Sequence, residues 1–356
     1  MQTILVRVNL DIEGEVSENA LRLKDALKTV KSLSKSTNKI VLLSHRGRPK
    51  GYDPKLSLEP LKEVLEKHLR RRITFFTQFD FPKIKKTIEQ APAGSIFLLE
   101  NLRFLPGETK NSLSLAKKLA SLGGWYINDD FATSHHANAS NVALPKLLPH
   151  RVGPILKKEV DILKNVMKKP ARPLVLIVGG AKAGDKLKVI KHLLKEVDYV
   201  LLAGGPGNTA LRAKGMNVKK SIHEPKMIQE VKKLLKSDKI IAPLDWLEYQ
   251  GSIVDIGPKT IERYSEIVKK AKTIIWGGPL GAFEDPKFRA GSEAIAREVA
   301  LGKAFTVVGG GETTELILQL GLENEVDLLS SGGGAMLAFL AGEKLPALEA
   351  LGLQNE

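Results

Sequence analysis

Short apolar runs, polar or glycine-rich segments and amphipathic stretches follow one another in a fixed order along the whole chain. This order is typical of strand, loop and helix repeated in a doubly wound parallel α/β sheet. Helical spacing of apolar residues between the strands, as at Leu61, Leu65 and Leu69, supports the prediction. The predicted strands cover residues 4–7, 40–44, 73–76, 96–99 and 125–127 in the first half, and 174–178, 199–203, 239–241, 273–276, 305–308 and 328–330 in the second.

The pattern is interrupted once, near Pro149 to Lys157, before an amphipathic stretch from Ile155 to Met167. We therefore predict two doubly wound, Rossmann-like domains, 1–152 and 153–335, with residues 153–168 as linking helix and hinge. The segment 336–356 is expected to pack back towards the first domain. Two sheets joined by one helix leave a cleft, which suits a reaction with two substrates.

Composition narrows the class of protein. A chain of 356 residues is about twice the usual domain size, and the absence of cysteine excludes disulfides and thiolate metal sites. Met1 to Arg7 reads as a strand, and no apolar run approaches the roughly 18 to 20 residues that span a bilayer. We expect a cytoplasmic enzyme that binds no membrane.

The net charge of +15 has three possible meanings. Lysine pairs such as Lys232-Lys233 and Lys269-Lys270 lie on helical faces without interleaved aromatic residues, which favours a solvated basic surface over a nucleic-acid-binding one. A field that attracts anionic metabolites is the third reading. We expect no nucleic-acid partner.

The two halves carry different chemistry at the ends of their strands, where open α/β sheets bind ligands. In the first half, Leu98 to Phe104 leads from a strand into Arg103, and Leu42 to Pro49 leads into His45 and Arg48. In the second half, glycines follow the strands and open helices, so that backbone N–H groups face an anion. The clusters are Gly204-Gly205, Gly277-Gly278-Pro279, Gly309-Gly310-Gly311 and Gly332-Gly333-Gly334. The pattern predicts an acidic metabolite on one domain, a nucleotide on the other, and phosphoryl transfer.

Simpler interpretations exist for each motif. A lone arginine after a strand is usually a surface charge, a glycine pair is usually a turn, and His45 or His136 could be ordinary loop histidines. The repetition of four glycine clusters in one register outweighs these readings. Gly179 to Lys186 does not fit the P-loop pattern, which excludes that motif. Gly205 to Ala210, with Glu224 downstream, imitates a dinucleotide fingerprint and leaves an oxidoreductase as one alternative, although the fingerprint normally opens the first βα unit.

No Ser–His–Asp order, histidine-rich metal set or paired-carboxylate motif stands out in the sequence. Transfer between a carboxylate and a nucleotide requires no general base, because the nucleophile is already ionised. The enzyme has only to align the partners, exclude water and stabilise charge.

The motifs Leu98 to Phe104, Ile127 to Ser140 and Gly179 to Lys186, in this order, resemble those of phosphoglycerate kinase, and the resemblance covers nearly the whole chain. It implies a monomer that binds 3-phosphoglycerate or 1,3-bisphosphoglycerate and ATP or ADP with Mg²⁺. Arg22 and Lys182 would act on the transferring phosphoryl group. The implied substrate-binding residues are Asn9, Leu10, Asp11, Arg22, His45, Arg46, Gly47, Arg48, Arg103 and His136. The implied nucleotide-binding residues are Lys186, Gly204, Gly205, Pro279, Glu284, Gly310, Gly311, Glu312, Thr313, Gly332 and Gly333, with Glu312 also holding the metal.

Several positions depart from the family pattern. Asn9 and Asp11 exchange the family's acid and amide, and Asp130 adds an acid where a small residue is usual. His136 replaces an arginine, and Arg46 either supplies the lost charge or is an exposed loop arginine. Further substitutions are Asn138 for a histidine, Gly277 for an asparagine and Glu312 for an aspartate.

The stretch from Ile240 to Val254 is expected to lack a hairpin that the family places there. Together with these substitutions, it leaves a second alternative: a catalytically weakened paralogue that binds nucleotide as a sensor or scaffold.

Overall fold

The computed structural model describes residues 2–12, 14, 20–34, 37–181 and 184–354. The chain forms two compact units, which we call unit 1 (Met1–Val160 with Lys344–Glu356) and unit 2 (Asp161–Glu343). The divisions fall at 160/161 and 343/344, whereas the sequence placed them at 152/153 and 335/336.

Unit 1 is built on a parallel sheet of six strands in the order β3-β4-β2-β1-β5-β6. The strands are β1 (Thr3–Arg7), β2 (Lys39–Leu43), β3 (Ile73–Phe76), β4 (Ile96–Leu99), β5 (Trp125–Asn128) and β6 (His150–Val152). The predicted parallel sheet is confirmed, and β6 is an addition to it. Its three residues pair with β5, from Tyr126 beside His150 to Asn128 beside Val152, although the sequence there read only as an interruption.

The helices of unit 1 flank this sheet. They are α1 (Leu21–Leu33), α2 (Glu59–Leu69), α3 (Phe81–Gln90), α4 (Leu113–Ala120), α5 (Pro154–Lys168), which runs on into unit 2, and α13 (Pro346–Ala350). Leu23 and Leu27 of α1 pack with Leu42 of β2 in the core. All five residues of β2 are buried, as expected for a central parallel strand covered on both faces.

Unit 2 has a second parallel sheet of six strands in the order β14-β13-β12-β7-β8-β9. Its strands are β7 (Leu174–Val178), β8 (Tyr199–Leu202), β9 (Ile240–Ile241), β12 (Thr273–Gly277), β13 (Phe305–Gly309) and β14 (Leu328–Ser330). This is the strand order of the Rossmann fold, which reverses between β7 and β12 and so places a switch point at their carboxyl ends. The corresponding reversal in unit 1 lies between β1 and β5.

Seven helices of unit 2 connect or flank these strands within the described chain. They are α6 (Gly184–Leu193), α7 (Gly204–Ala213), α8 (Ile228–Leu234), α9 (Pro258–Lys270), α10 (Ala290–Ala300), α11 (Gly311–Gln319) and α12 (Gly333–Leu340). Trp276 of β12 is completely buried in the core of the unit with Tyr264 and Phe283. In the described part of the chain, no helix combines the length and apolarity required to cross a membrane.

A hairpin in unit 2 corrects one expectation. The strands β10 (Trp246–Tyr249) and β11 (Ser252–Ile256) pair antiparallel in the region where the sequence analysis expected none. The turn is only two residues long, and both Gln250 and Gly251 have positive φ, 49° and 79°. Such turns usually carry Asn or Asp before the glycine. Because Gln250 stands where Asn or Asp is usual, the sequence did not indicate this hairpin.

Candidate active site

Arg7, the last residue of β1, lies fully buried at the switch point of unit 1. Its Nη2 is 3.2 Å from Oδ2 of Asp130, which follows β5, and 2.8 Å from Nδ1 of His45. Its Nε donates to Oγ of Ser140 at 3.1 Å. Because a guanidinium only donates, Nδ1 of His45 must accept, and the proton of the imidazole is on Nε2.

The protonated Nε2 of His45 faces the carboxylate of Asp11. This nitrogen is 3.4 Å from Oδ2 of Asp11. Burial lowers the pKa of His45 to about 4; Asp11 opposes this fall, and the charges of Arg7 and Arg103 add to it. His45 is therefore neutral at pH 7 and orients Asp11, rather than offering a fixed positive charge.

Asp11 gathers several donors in the loop after β1. Burial alone would raise its pKa, but His45, the N–H of Gly47 at 2.7 Å and the charge of Arg22 hold the pKa well below its usual range. Nη1 of Arg22 lies 3.6 Å from Oδ2 of Asp11 and donates to the carbonyl of Asp11. The predicted substrate residues Asp11, Arg22, His45 and Gly47 thus share one network.

The next two predicted residues contribute mainly to the shape of this loop. Asn9 is almost completely buried; its Nδ2 donates to Asp130 Oδ1 at 3.0 Å, and its Oδ1 accepts the N–H of Asp11 at 2.9 Å. The side chain of Leu10 belongs to the core, and its N–H donates to Ser44 Oγ at 2.9 Å. The loop is therefore tied to β2 and β5 at successive residues.

Arg46 is buried, so the interpretation as an exposed loop arginine is wrong. Its Nε donates to the carbonyl of Ile12 at 2.8 Å, and its Nη atoms donate to the carbonyls of Ser57 and Gly14. Two of these three backbone acceptors, the carbonyls of Ile12 and Gly14, belong to the loop after β1. Arg46 acts as a brace of that loop in this structure.

A cationic cluster, which we define as Arg48, Arg103 and His136, lies at the same sheet edge. Burial lowers the pKa of His136, and the charges of Arg103 and Arg48 lower it further. Arg48 and His136 are exposed, whereas Arg103 is half-buried with Nη1 donating to the carbonyl of Gly47 at 2.7 Å. His136 also contacts His135, with ring centroids 3.8 Å apart.

Buried polar atoms without a protein partner occur on the same loops. Among the described residues they include Arg103 Nε, Asn128 Nδ2, His135 Nδ1 and Asn138 Nδ2. Buried donors are rarely left without an acceptor in folded proteins. Next to the two arginines and the histidine of the cationic cluster, these atoms indicate a site for an anion with several oxygens.

In unit 2, the ammonium of Lys186 lies at the switch point between β7 and β12. It donates to the carbonyl of Gly179, and a Cβ added at Gly180 would be 2.6 Å from this ammonium and 3.5 Å from Oε2 of Glu312. An ammonium and a carboxylate thus face one glycine. Lys182, predicted to act with Arg22, lies outside the described residues.

The glycine clusters of unit 2 have a second explanation besides anion binding, because several of their N–H groups bond within the protein. Gly205 donates to Gly180 O at 2.8 Å, Gly180 to Pro279 O at 2.6 Å and Gly278 to Thr313 Oγ1 at 2.8 Å. A Cβ at Gly205 would lie 2.1 Å from the carbonyl oxygen of Ala181. Glycine is required here so that neighbouring loops can touch.

The N-termini of α11 and α12 keep N–H groups for a ligand. These helices begin at Gly311 and Gly333, and their first-turn N–H groups have no partner inside the helix. A Cβ at Gly333 would lie 2.5 Å from Cα of Gly310, so the two helix starts are in contact. Gly332 donates its own N–H to Ser330 Oγ at 3.2 Å. Together, the two helix starts suit phosphate oxygens.

Two predicted acidic residues are exposed at this edge of unit 2. Glu284 follows β12, and Glu312 lies in the first turn of α11. No group of three or more His, Asp or Glu that could bind a metal occurs among the described residues. A single carboxylate still fits magnesium, which proteins commonly bind through one or two carboxylates together with phosphate oxygens.

The dinucleotide reading of Gly205 to Ala210 is not supported by the surroundings of Glu224. Oε1 of Glu224 accepts the N–H of Gly184 at 3.0 Å, at the start of α6. Gly204, with φ of 54°, and Gly205 pack against the loop at Gly180. Glu224 therefore holds a helix start.

Sequence reasoning missed the roles of two buried acids in unit 1, Glu108 and Asp129. Glu108 is completely buried and accepts from Ser140 Oγ at 2.5 Å; burial raises its pKa, which the charge of Arg7 opposes. Asp129 accepts the N–H of Leu156 at the start of α5. Asp130 was noticed only as a departure from the family pattern. The same signal existed for Asp129 and Asp130, as acids following β5 where ligands bind, but none existed for Glu108.

The sequence and the fold are similar to those of phosphoglycerate kinases over nearly the whole length of the chain. The sequence model of the phosphoglycerate kinase family matches residues 1–343. The phosphoglycerate kinase of Pseudothermotoga lettingae is 36% identical, covering 98% of this chain and 96% of its own. That of Dictyoglomus turgidum is 38% identical over 98% and 95%. The crystal structure of phosphoglycerate kinase from Pyrococcus horikoshii superposes with a TM-score of 0.89 at 30% identity, covering 99% of this chain and 96% of its own.

Proposed function

Because the chain belongs to the phosphoglycerate kinase family, we propose which of its residues perform each part of the family's reaction. The protein is a phosphotransferase that interconverts 1,3-bisphosphoglycerate plus ADP with 3-phosphoglycerate plus ATP. The relatives named above are all phosphoglycerate kinases, and none of them favours either alternative. The reaction belongs to glycolysis and gluconeogenesis, and we propose a cytoplasmic monomer.

We propose that unit 1 binds the phosphoglycerate. The supporting observation is the coincidence of the cationic cluster with the unpartnered donors Arg103 Nε and Asn138 Nδ2 at the carboxyl edge of the first sheet. The 3-phosphate would lie against Arg48, Arg103 and His136, and the glycerate against the loop after β1. Arg22, held over Asp11, would contact the phosphoryl group during transfer.

We propose that unit 2 binds the nucleotide. Lys186 and the starts of α11 and α12 would hold its phosphates, and the exposed carboxylate of Glu284 would accept from the ribose hydroxyls. The magnesium ion enters with the nucleotide, and Glu312 would bind it directly or through one water. Its role is to neutralise charge on the phosphate oxygens.

No side chain is required as a general base. The carboxylate of 3-phosphoglycerate attacks the γ-phosphorus as its O–P bond to ADP breaks, and in reverse an ADP oxygen attacks the acyl phosphate. Neither nucleophile has a proton to lose at pH 7. Arg22 and Lys182 would stabilise the charge on the three equatorial oxygens, which is the main contribution a protein makes to such a transfer.

The placement of the phosphoglycerate is tested by Arg103→Ala, assayed with MgATP and 3-phosphoglycerate by coupled detection of the acyl phosphate. Loss of a charged donor should raise KM for 3-phosphoglycerate about 10- to 100-fold and leave KM for ATP unchanged. The exposed Arg72 lies on the same unit outside the cluster, so Arg72→Ala controls for net charge. Equal KM values in both variants would exclude the proposed site.

A separate measurement concerns Arg22. Removing a fixed donor at a developing charge typically lowers kcat about 10²- to 10³-fold. We expect this loss for Arg22→Ala, with dissociation of ADP unaffected in direct binding. Turnover at the parental rate would show that Arg22 does not contact the transferring group.

A further inference from the structure

The buried acid Asp130 connects the two strands that flank the switch point of unit 1. It is 1% exposed and lies two residues after the end of β5. Its carboxylate receives Nη2 of Arg7 at 3.2 Å, Nδ2 of Asn9 at 3.0 Å and Oγ1 of Thr133 at 2.7 Å. Arg7 ends β1 and Asn9 lies in the loop after it, and both donate to Asp130.

Positions 9 and 130 depart from the family pattern in complementary ways. The resemblance to phosphoglycerate kinase implies an acid at position 9 and a small residue at position 130, whereas this chain has Asn9 and Asp130. Two carboxylates at the 3.0 Å separation of Asn9 and Asp130 could not both ionise without strong repulsion. The amide at position 9 is therefore the residue that an acid at position 130 requires.

The negative charge beside Arg7 comes from the loop after β5, where Asp130 lies. From Arg7 the contacts continue through Nδ1 of His45 to Asp11 and then to Arg22. Each step fixes the donor or acceptor role of the next group. Asp130 thus stands at the buried end of a chain of contacts that ends at the proposed phosphoryl-contacting arginine.

We propose that Asp130 is a positioning residue for phosphoglycerate, supplying from the loop after β5 the negative charge that faces Arg7 and Asn9. It orients Asn9 directly and Asp11 through Arg7 and His45. The inference rests on the assignment of phosphoglycerate to unit 1 proposed above. It adds that the residues at 9 and 130 form one functional pair.

A double-mutant cycle tests the pair, with KM and kcat measured for both substrates. Asp130→Ala removes the acceptor of Arg7 and Asn9 and should raise KM for 3-phosphoglycerate about 10- to 100-fold by misplacing the loop. Asn9→Asp alone should also raise it, because two acids then face each other. The double variant Asn9→Asp/Asp130→Ala returns to the family arrangement, and its KM should lie within about threefold of the parental value.

A purely structural role would give a different pattern. Loss of folding would lower the active fraction, and so the apparent kcat, without raising KM for one substrate. The matched control is Asp255→Asn, which removes a buried acid from unit 2 and should leave KM for 3-phosphoglycerate unchanged. If Asp130→Ala does not fold, Asp130→Asn and Asn9→Asp/Asp130→Asn replace it in the same cycle, because an amide preserves the shape of the side chain.

Two failures are distinguishable. If Arg103→Ala also leaves KM for 3-phosphoglycerate unchanged, the assignment of the substrate to unit 1 fails. If Arg103→Ala raises KM but the double variant is as impaired as the product of its single variants, only the pairing of positions 9 and 130 is overturned. An unchanged KM in Asp130→Ala would overturn it as well.

Discussion

At the scale of single residues, the substrate pocket of unit 1 separates charges that remain fixed from those that titrate. Arg103 and Arg48 are guanidinium groups, while His136 is an imidazole at a position where the resemblance implies an arginine. Burial and these two arginines lower the pKa of His136 below the ordinary 6.5. At pH 7 the ligand-free protein therefore has a neutral imidazole at this position.

This leads to a prediction about pH. If a phosphate dianion contacts His136, the pKa is higher in the complex than in the free protein, and binding takes up a proton. Affinity for 3-phosphoglycerate is then greatest below the pKa of the free protein and falls as pH rises through the pKa of the complex. His136→Arg should flatten this dependence and bind about tenfold more tightly near pH 8.

The measurement is substrate dissociation for parent and variant between about pH 6 and 8. The substrate phosphate itself titrates near pH 6, so the two proteins are compared at each pH. Parallel curves would show that His136 does not contact the phosphate.

Sequence alone could identify cationic residues after strands, but it could not tell which of them face a ligand. Arg46 and Arg48 are two residues apart, yet one is buried against backbone carbonyls and the other is exposed. Likewise, His45 was predicted as a substrate-binding residue, and its neutral state follows from its burial and from the nearby charges of Arg7 and Arg103. These differences depend on contacts far apart in sequence, which no local pattern records.

At the scale of elements, one helix start holds a buried carboxylate whose pKa is shifted. Asp129 lies at the start of α5, where Oδ1 accepts the N–H of Leu156 at 2.8 Å and Oδ2 accepts from Thr29. Burial raises its pKa to about 6; the contacts with Thr29, Leu156 and Ile155 oppose this rise, and the charge of Asp25 adds to it. Burial therefore disfavours the ionised form of this carboxylate, and the hydrogen bonds offset only part of that cost.

A stability prediction follows from the sign of this shift. A raised pKa in the folded state favours folding below the unfolded value near 3.8, and this contribution is lost as pH rises through 6. The difference between the folded and unfolded pKa values of Asp129 corresponds to roughly 3 kcal/mol in the free energy of unfolding. Asp129→Asn, which retains an acceptor for Leu156, should remove the loss, so its free energy of unfolding should exceed the parental value above pH 6.

Urea unfolding at several pH values measures the effect. The control is Asp80→Asn at the exposed start of α3, where the side chain accepts the N–H of Lys83. That variant should follow the parental pH dependence. A constant difference between Asp129→Asn and parent across the range would rule out the titration of Asp129 as the cause.

The start of α11 gives a prediction about metal. If Glu312 reaches magnesium, Glu312→Asp shortens the side chain by one methylene and should shift the magnesium concentration at half-maximal rate about 3- to 10-fold, because this ion demands strict geometry. Dissociation of ADP without metal should change little. Glu315→Asp, one turn further along the same exposed face, is the control. Superimposable magnesium titrations of Glu312→Asp and parent would exclude the contact.

The elements themselves were largely predictable, because long parallel strands are continuous apolar runs. Short ones were not: β6 has three residues, and β10 and β11 meet at a turn whose Gln250 is unusual there. Three of the four glycine clusters follow a strand and open a helix as predicted, at the starts of α7, α11 and α12, whereas Gly277-Gly278-Pro279 ends β12 and leads into a loop. Their role in letting loops touch, as at Gly179 and Gly205, appears only when both partners are in place.

At the scale of the whole molecule, each unit has its own sheet and its own core. Chains of this kind need not unfold in one step. A ligand that binds only one folded unit stabilises it by about 2.7 kcal/mol at a concentration 100 times its dissociation constant. We expect 3-phosphoglycerate to raise the unfolding midpoint of unit 1 and MgADP that of unit 2.

Hydrogen exchange read by peptide mass spectrometry assigns protection to each unit. Peptides covering β1 and β2 should respond to 3-phosphoglycerate, and peptides covering β7 and β12 to MgADP. Inorganic sulfate at equal ionic strength controls for unspecific anion effects. Protection of unit 2 strands by 3-phosphoglycerate alone would contradict the assignment of substrates to units.

Unit 1 is formed by two separate segments of the chain, and this has a consequence for its synthesis on the ribosome. Unit 2 is a continuous stretch, whereas unit 1 is completed by residues 344–356, where the N–H of Ala347 donates to the carbonyl of Ser134 at 3.2 Å. Domains generally fold as they emerge. The nascent chain must therefore hold an unfinished first unit throughout the translation of the second, and Ser134, two residues from His136, receives this partner only after all of unit 2 has been made.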